Sequence, residues 1–266
     1  MLAPNSVPEM SGTVGSRPAN EDPVSWPEQS VTEEVLDDAC KIHNNFPPET
    51  SLPIDEEEHL AHLRKILWDC KAWNKVGIIA LHQHETLLPN QSFVGDIRQL
   101  DDERYACYIQ KFANEEINID KVCGYMFAYV EGKGLRPFLF RQGQMLDLSG
   151  VDKTLVPRIV QYLVQNRLTS RLGLGLLIPE LSKNKVTEFP MGSGMVLVPT
   201  ELLLPRKLTT VATEWHWDPR TGVFGVGTGC VILKSGKHVK PETDDKELTL
   251  EVDFAGVLRR ANILQS

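Results

Sequence analysis

The chain of 266 residues is poor in several features that would narrow its function quickly. It has no apolar run near the about eighteen residues that span a bilayer. The longest, Leu172 to Pro179, is only strand-sized. The opening residues, Met1-Leu2-Ala3-Pro4-Asn5-Ser6, carry neither the basic nor the apolar region of a secretory leader. No membrane association is expected. Cysteine is scarce: Cys40, Cys70, Cys107, Cys123 and Cys230 form an odd, widely spaced set without a C-x-x-C pair. That spacing argues against a disulfide scaffold and against a structural zinc knuckle, and it reads as reduced thiols of a cytoplasmic protein.

Positive charge is also short. Lysine and arginine number 28 against 36 aspartates and glutamates, giving a net charge of −8 and a pI near 5.4. A phosphate backbone or an anionic lipid surface is repelled by such a field unless a local basic patch overrides it. The basic residues are dispersed, so no nucleic-acid partner is expected. The nucleophile signatures G-x-S-x-G and H-E-x-x-H are absent as well. The glycines at 222, 225, 227 and 229 lead into the apolar Cys230-Val231-Ile232-Leu233. A phosphate-cradling loop needs a helix at that point, so the run reads instead as a strand with close backbone approach.

What is present is a hydrophobic content of 41%, ample for a core. Residues 1–50 read as a disordered tail, rich in Pro, Ser and Asn, holding one short helix over Thr32–His43. Residues 51–266 read as a single α+β domain. Leu60, Leu63, Ile66, Leu67 and Cys70 recur at helical spacing and are followed by the strand-like run Val76 to Leu81. The same order returns about 96 residues later, as Val156, Ile159, Val160 and Leu163 and then Leu172 to Leu177. Further strands are expected over Tyr105–Phe112, Cys123–Val130, Leu208–Trp217 and Val223–Leu233, with turn-rich stretches at Leu88–Gly95 and Ser182–Gly194. The reading is therefore a pseudo-duplicated fold of two related helix-plus-antiparallel-strand halves, 54–145 and 150–240, closed by a C-terminal helix over 250–264.

Chemistry concentrates in two places. His82-Gln83-His84 ends the first predicted central strand, and strand alternation puts both imidazoles on one face. There they can exchange protons near neutral pH or bind a transition metal if further ligands join them. In Glu214-Trp215-His216-Trp217 the alternation puts Glu214 and His216 on one face and the tryptophans on the other. His82, His84, Glu214 and His216 are thus the candidate catalytic set. No cofactor-binding motif is found, so the cofactor stays open, with a transition metal among those that these residue types admit. His43, His59, His62 and His238 read as isolated surface histidines.

The unit of helix followed by K-V-G-I-I-A-L-H-Q-H-E, over Leu60 to Leu87, resembles a group of fungal proteins of unknown function. In that group an amphipathic helix precedes a strand ending in L-H-x-H and usually an aromatic residue. Glu85 stands here in the aromatic's place. The resemblance implies a fungal origin and assigns no catalytic residue. Two functions remain open on the residues. One is a small-molecule binder or enzyme acting on a non-phosphorylated metabolite by histidine acid/base chemistry. The other is a non-catalytic interaction module, using the acidic surface and the N-terminal tail to engage a protein partner or a second copy.

Overall fold

The computed structural model describes residues 30–48, 57–191, 194–202, 209–218 and 221–232. The tail before residue 30 and the helix expected over 250–264 lie outside the described residues. Ten strands are formed: β1 (Val76–Ala80), β2 (Gln91–Gln99), β3 (Tyr105–Ala113), β4 (Val122–Val130), β5 (Gly134–Gln142), β6 (Leu172–Leu176), β7 (Val186–Met191), β8 (Gly194–Pro199), β9 (Thr209–Trp217) and β10 (Phe224–Ile232). They close into one barrel in the order β1-β6-β4-β5-β2-β3-β8-β7-β10-β9, with β9 returning to β1. Among the described residues, closure gives every strand a neighbour on both sides.

The α+β expectation is corrected by this ring. The sheet is mixed, because β2–β5 and β7–β10 pair in parallel, and no half owns a sheet of its own. Strand β1 lies between β6 and β9, and β6 lies between β1 and β4, so strands from both ends of the chain interleave. The pairings β4–β5, β5–β2 and β2–β3 have counterparts of the same sense in β9–β10, β10–β7 and β7–β8. The two antiparallel seams β1–β6 and β3–β8 join them. The physical reason for the misreading is compositional. Three strands lack a clean apolar signature: β2 carries Gly95 and Asp96, β5 carries Pro137 and β7 carries Pro190, while the short apolar β8 begins at Gly194, the last residue of a turn-rich stretch. Strands β2 and β7 fall largely inside stretches that read as turns, yet they supply the parallel pairs that close the ring.

The helices are peripheral. In α1 (Glu33–Asn44) the Thr32 hydroxyl accepts from Val35 N–H as an N-cap, and Leu36 and Ala39 pack against Val94 and Phe140 of β2 and β5. Helices α2 (Glu57–Asp69) and α3 (Leu155–Gln165) pack on each other and on the barrel through Leu63, Ile66, Leu67, Val156, Ile159 and Leu163, all buried. Each helix buries one stripe. No described helix is long and apolar enough to cross a membrane.

Candidate functional site

The interior geometry follows from strand register. On β1, Gly77 and Ile79 face inward: a Cβ on Gly77 would stand 3.0 Å from Glu214 Oε1, and Ile79 pairs with Glu214 across the β1–β9 seam. Val76 and Ile78 therefore face the helices, as a two-residue period requires. Gly77 pairs with Gly175 across β1–β6. These two side-chain-free positions leave the room that the Glu214 carboxylate occupies.

The chain stays extended past β1. Leu81 N–H donates to Arg171 O (2.8 Å), Gln83 N–H donates to Pro47 O (2.9 Å), and Gln83 forms an isolated bridge with Pro48. His82 and His84 consequently project to the same side, with ring centroids 4.6 Å apart at 84°. Glu85 points elsewhere and pairs with Lys111, one carboxylate oxygen lying 2.8 Å from Nζ. His82 Nδ1 is 3.0 Å from Ala80 O. A carbonyl oxygen only accepts, so Nδ1 carries the proton and Nε2 of the neutral ring presents a lone pair. That Nε2 lies 3.0 Å from His84 Nε2.

Two residues from distant strands complete the cluster. Glu188 of β7 brings Oε1 to 3.3 Å from His84 Nε2 and Oε2 to 3.9 Å from His82 Nε2. Cys230 of β10 is the register partner of Glu188 in the parallel pair, and its Sγ lies 4.0 Å from His84 Nε2. The Cys230 thiol also donates to Glu188 O at 3.6 Å. The side chains of His82, His84 and Glu188 are 9%, 7% and 11% exposed, so the cluster is nearly closed off but still reached by solvent.

Beside them is an interior cavity of about 50 Å³. His82, His84, Glu188, Glu214, Thr213 and Thr228 form its polar lining, and Ile79, Ile109, Met126, Phe138, Leu139, Met195 and Leu197 its apolar lining. Glu214 is anchored there by Thr228 Oγ1–H, which donates to Oε2 at 2.6 Å. The Tyr125 hydroxyl is driven well above its ordinary range, first by burial and then by the neighbouring Glu214 and Glu188 carboxylates. It is a protonated group at any physiological pH.

His43, read from the sequence as a surface residue, is 4% exposed and lines the same cavity. Its Nε2–H donates to Glu85 O at 3.0 Å. Burial, opposed by that bond and reinforced by the neighbouring His84 and His82, lowers its pKa to about 4. His43 is therefore neutral. His59 and His62 sit on α2 against Tyr162, the first by a 2.8 Å hydrogen bond and the second by ring stacking. His238 lies outside the described residues.

The four sequence candidates are thus only partly brought together. His82, His84 and Glu214 line one cavity. His216 does not; its ring packs over Gly227 and faces a separate crevice with Ser182, Asn184, Lys185 and Asp218. Its Nδ1 stands 3.5 Å from Glu214 Oε1. Burial is the largest influence on His216 and disfavours its charged form, but Glu214, Asp218 and a hydrogen bond with the Ser182 backbone together outweigh it, so its pKa is raised. Glu188 and Cys230 are additions that the sequence reading did not select. The alternation Val186-Thr187-Glu188-Phe189 is the one local signal that could have found Glu188.

No known family model, curated protein or solved structure matches this chain. The functional reading therefore rests on the geometry of the barrel interior.

Proposed function

We propose that the chain is a small-molecule-binding protein or enzyme whose functional centre is the barrel cavity walled by His82, His84, Glu188 and Glu214. The observation that carries the reading is convergence: two imidazoles from the β1–β2 connection and two carboxylates from β7 and β9 meet at one small, largely apolar space. Titratable groups gathered in a mostly apolar hollow are the usual composition of a ligand site. A cavity of about 50 Å³ admits roughly three or four water-sized groups. The ligand is accordingly a molecule of a few heavy atoms, or the reacting end of a longer one. Among the described lining residues there is no lysine or arginine, and two are glutamates, which favours a neutral or cationic, non-phosphorylated ligand. The Nε2 lone pair of His82 is placed to accept a proton, with His84 3.0 Å away to exchange one.

Ligand-observed NMR with a panel of small alcohols, amines, carbonyl compounds and phosphomonoesters tests this. Binding is expected from the first three classes and not from the phosphomonoesters, and it should be lost in the double variant His82→Ala/His84→Ala. Equal binding by wild type and double variant would overturn the reading. We also place the protein in the cytoplasm, since all five cysteines are described and each is a buried free thiol.

Partner binding is a second reading, and what favours it is an aromatic row that begins at the exposed Trp68 and continues through the half-buried Trp217 and Phe224. Trp68 is 55% exposed, lies 5.0 Å from Trp217, and Trp217 lies 5.9 Å from Phe224. Concentration-dependent self-association in sedimentation equilibrium, abolished by Trp68→Ala, would support it. A wild-type monomer at every concentration would remove it.

A further inference from the structure

The separations within the His82, His84, Glu188 and Cys230 cluster have a pattern that hydrogen bonding does not require. Their donor atoms, two imidazole nitrogens, a carboxylate oxygen and a thiol sulfur, all lie within 4.8 Å of one another. Separations within it are 3.0 Å (Nε2 to Nε2), 3.3 Å (His84 Nε2 to Glu188 Oε1), 3.9 Å (His82 Nε2 to Glu188 Oε2) and 4.0 Å (His84 Nε2 to Cys230 Sγ). Tetrahedral coordination with bonds of about 2.0–2.1 Å to nitrogen and oxygen and about 2.3 Å to sulfur needs donor-to-donor edges of roughly 3.3–3.6 Å. The observed spread brackets those edges. Only small side-chain adjustments separate the four groups from a ligand shell.

We propose that His82, His84, Glu188 and Cys230 form a binding site for a divalent transition metal, with zinc the ion best matched to the donor set. Mixed nitrogen and sulfur donors exclude calcium and magnesium, which require oxygen. Charge balance supports the assignment. Two neutral imidazoles, one carboxylate and one thiolate bring two negative charges to a dication, so the loaded cluster is neutral, and a neutral cluster removes the cost of burying the Glu188 charge alone. Binding takes the proton from the Cys230 thiol and releases it to solvent as the sulfur–metal bond forms. The second shell is already in place: the Ala80 carbonyl accepts from His82 Nδ1–H, which fixes the ring and its tautomer. Register fixes the rest, since the parallel β7–β10 pair sets Glu188 and Cys230 side by side.

This deepens the reading of the cavity as the functional centre and rests on it. With the metal bound, the lone pairs of His82 and His84 are committed to it. The cavity carboxylate outside the shell is Glu214, held by Thr228, and it is the group left to accept a proton from a bound ligand.

The test uses the full chain, stripped with a chelator and titrated with zinc in competition with a chromophoric chelator. One equivalent should bind. His84→Ala and Glu188→Gln should each weaken binding at least about 100-fold, more than the loss of an outer-shell partner produces. His62→Ala, on the surface of α2, should bind as wild type does. Cobalt(II) gives the second readout: the wild type should develop a thiolate-to-cobalt charge-transfer band in the near ultraviolet, and Cys230→Ser should lose that band while still binding the ion. Far-ultraviolet circular dichroism of the stripped variants separates lost ligation from lost folding. Zinc binding no tighter in wild type than in His82→Ala/His84→Ala, or wild-type affinity retained by His84→Ala and Glu188→Gln, would overturn the metal site. If zinc fails while the NMR ligands still bind in a histidine-dependent way, the metal inference falls and the cavity reading stands. If both fail, the cavity reading falls with it.

Discussion

Barrel closure can be probed with a single methyl group. Gly173 faces inward on β6, where a Cβ would stand 2.4 Å from the backbone carbonyl oxygen of Phe127 on β4 and 2.9 Å from Leu81 Cδ2. Leu174, the next residue, is the register partner of Phe127, so the clash falls on the β4–β6 seam itself. Gly173→Ala must push the two strands apart by roughly half an ångström or more, and a carbonyl of a paired strand cannot swing away as a side-chain tip can. Overpacking of a tight interior costs about 1–3 kcal/mol, and weakened ladder bonds add about 1 kcal/mol. The gain from a stiffer unfolded chain returns only about 0.4–1 kcal/mol. The net destabilisation should be about 2–3 kcal/mol, a fall of roughly 1 M in the urea midpoint if the slope is about 2–3 kcal/mol/M. Gly225→Ala is the matched control, because a Cβ on that glycine of β10 meets nothing within 4 Å. It should shift stability by less than about 0.5 kcal/mol. If Gly173→Ala unfolded at the wild-type midpoint, β4 could not lie against β6 as described and the ring would be open at that seam.

Other outcomes follow from the same interior. Thr228→Val preserves shape but removes the 2.6 Å donor to Glu214, so stability at pH 7 should drop by about 1.5–3 kcal/mol, as measured by chemical denaturation. His43 has a folded pKa of about 4 against 6.5 in the unfolded chain. The unfolded state therefore binds the proton first, and stability should be complete above pH 6.5 and decline as pH falls toward 4. The loss is on the order of 3 kcal/mol, and His43→Phe should flatten that slope in a pH series of melts. Zinc at a hundredfold excess over its dissociation constant should raise stability by about 2.7 kcal/mol, an increase that a chelator reverses and that is missing in Glu188→Gln.

How much of this was legible in the sequence varies by element. Strand β1 and strand β6 were readable because Val76 to Ala80 and Leu172 to Leu176 are buried on both faces and therefore apolar throughout. Strands β3, β4, β9 and β10 begin and end within about a residue of the expected limits, since they keep apolar or alternating patterns. Fold class was lost on β2, β5, β7 and β8. Their glycines, prolines and polar residues imitate turns, and closure depends on pairing between distant strands that no local pattern records. The site divides in the same way. His82 and His84 were legible as a pair because they are two residues apart in extended chain. Glu188 and Cys230, 42 residues apart, become neighbours only through the parallel β7–β10 register. His216, two residues from Glu214 on the same strand, lies outside the cavity, with its ring against Gly227 at the β10 register shift and facing the neighbouring crevice, a placement that strand alternation alone does not record.

The central claim, that the cavity beside His82 and His84 holds something, is tested most directly by native mass spectrometry. The intact chain would be purified without chelators and compared with the same sample denatured and with His82→Ala/His84→Ala. A noncovalent mass excess, that of one zinc ion or of a small organic molecule, is predicted for the native wild type and should be absent from the other two. A native wild type at the bare chain mass, or an excess retained by the double variant, would contradict the account.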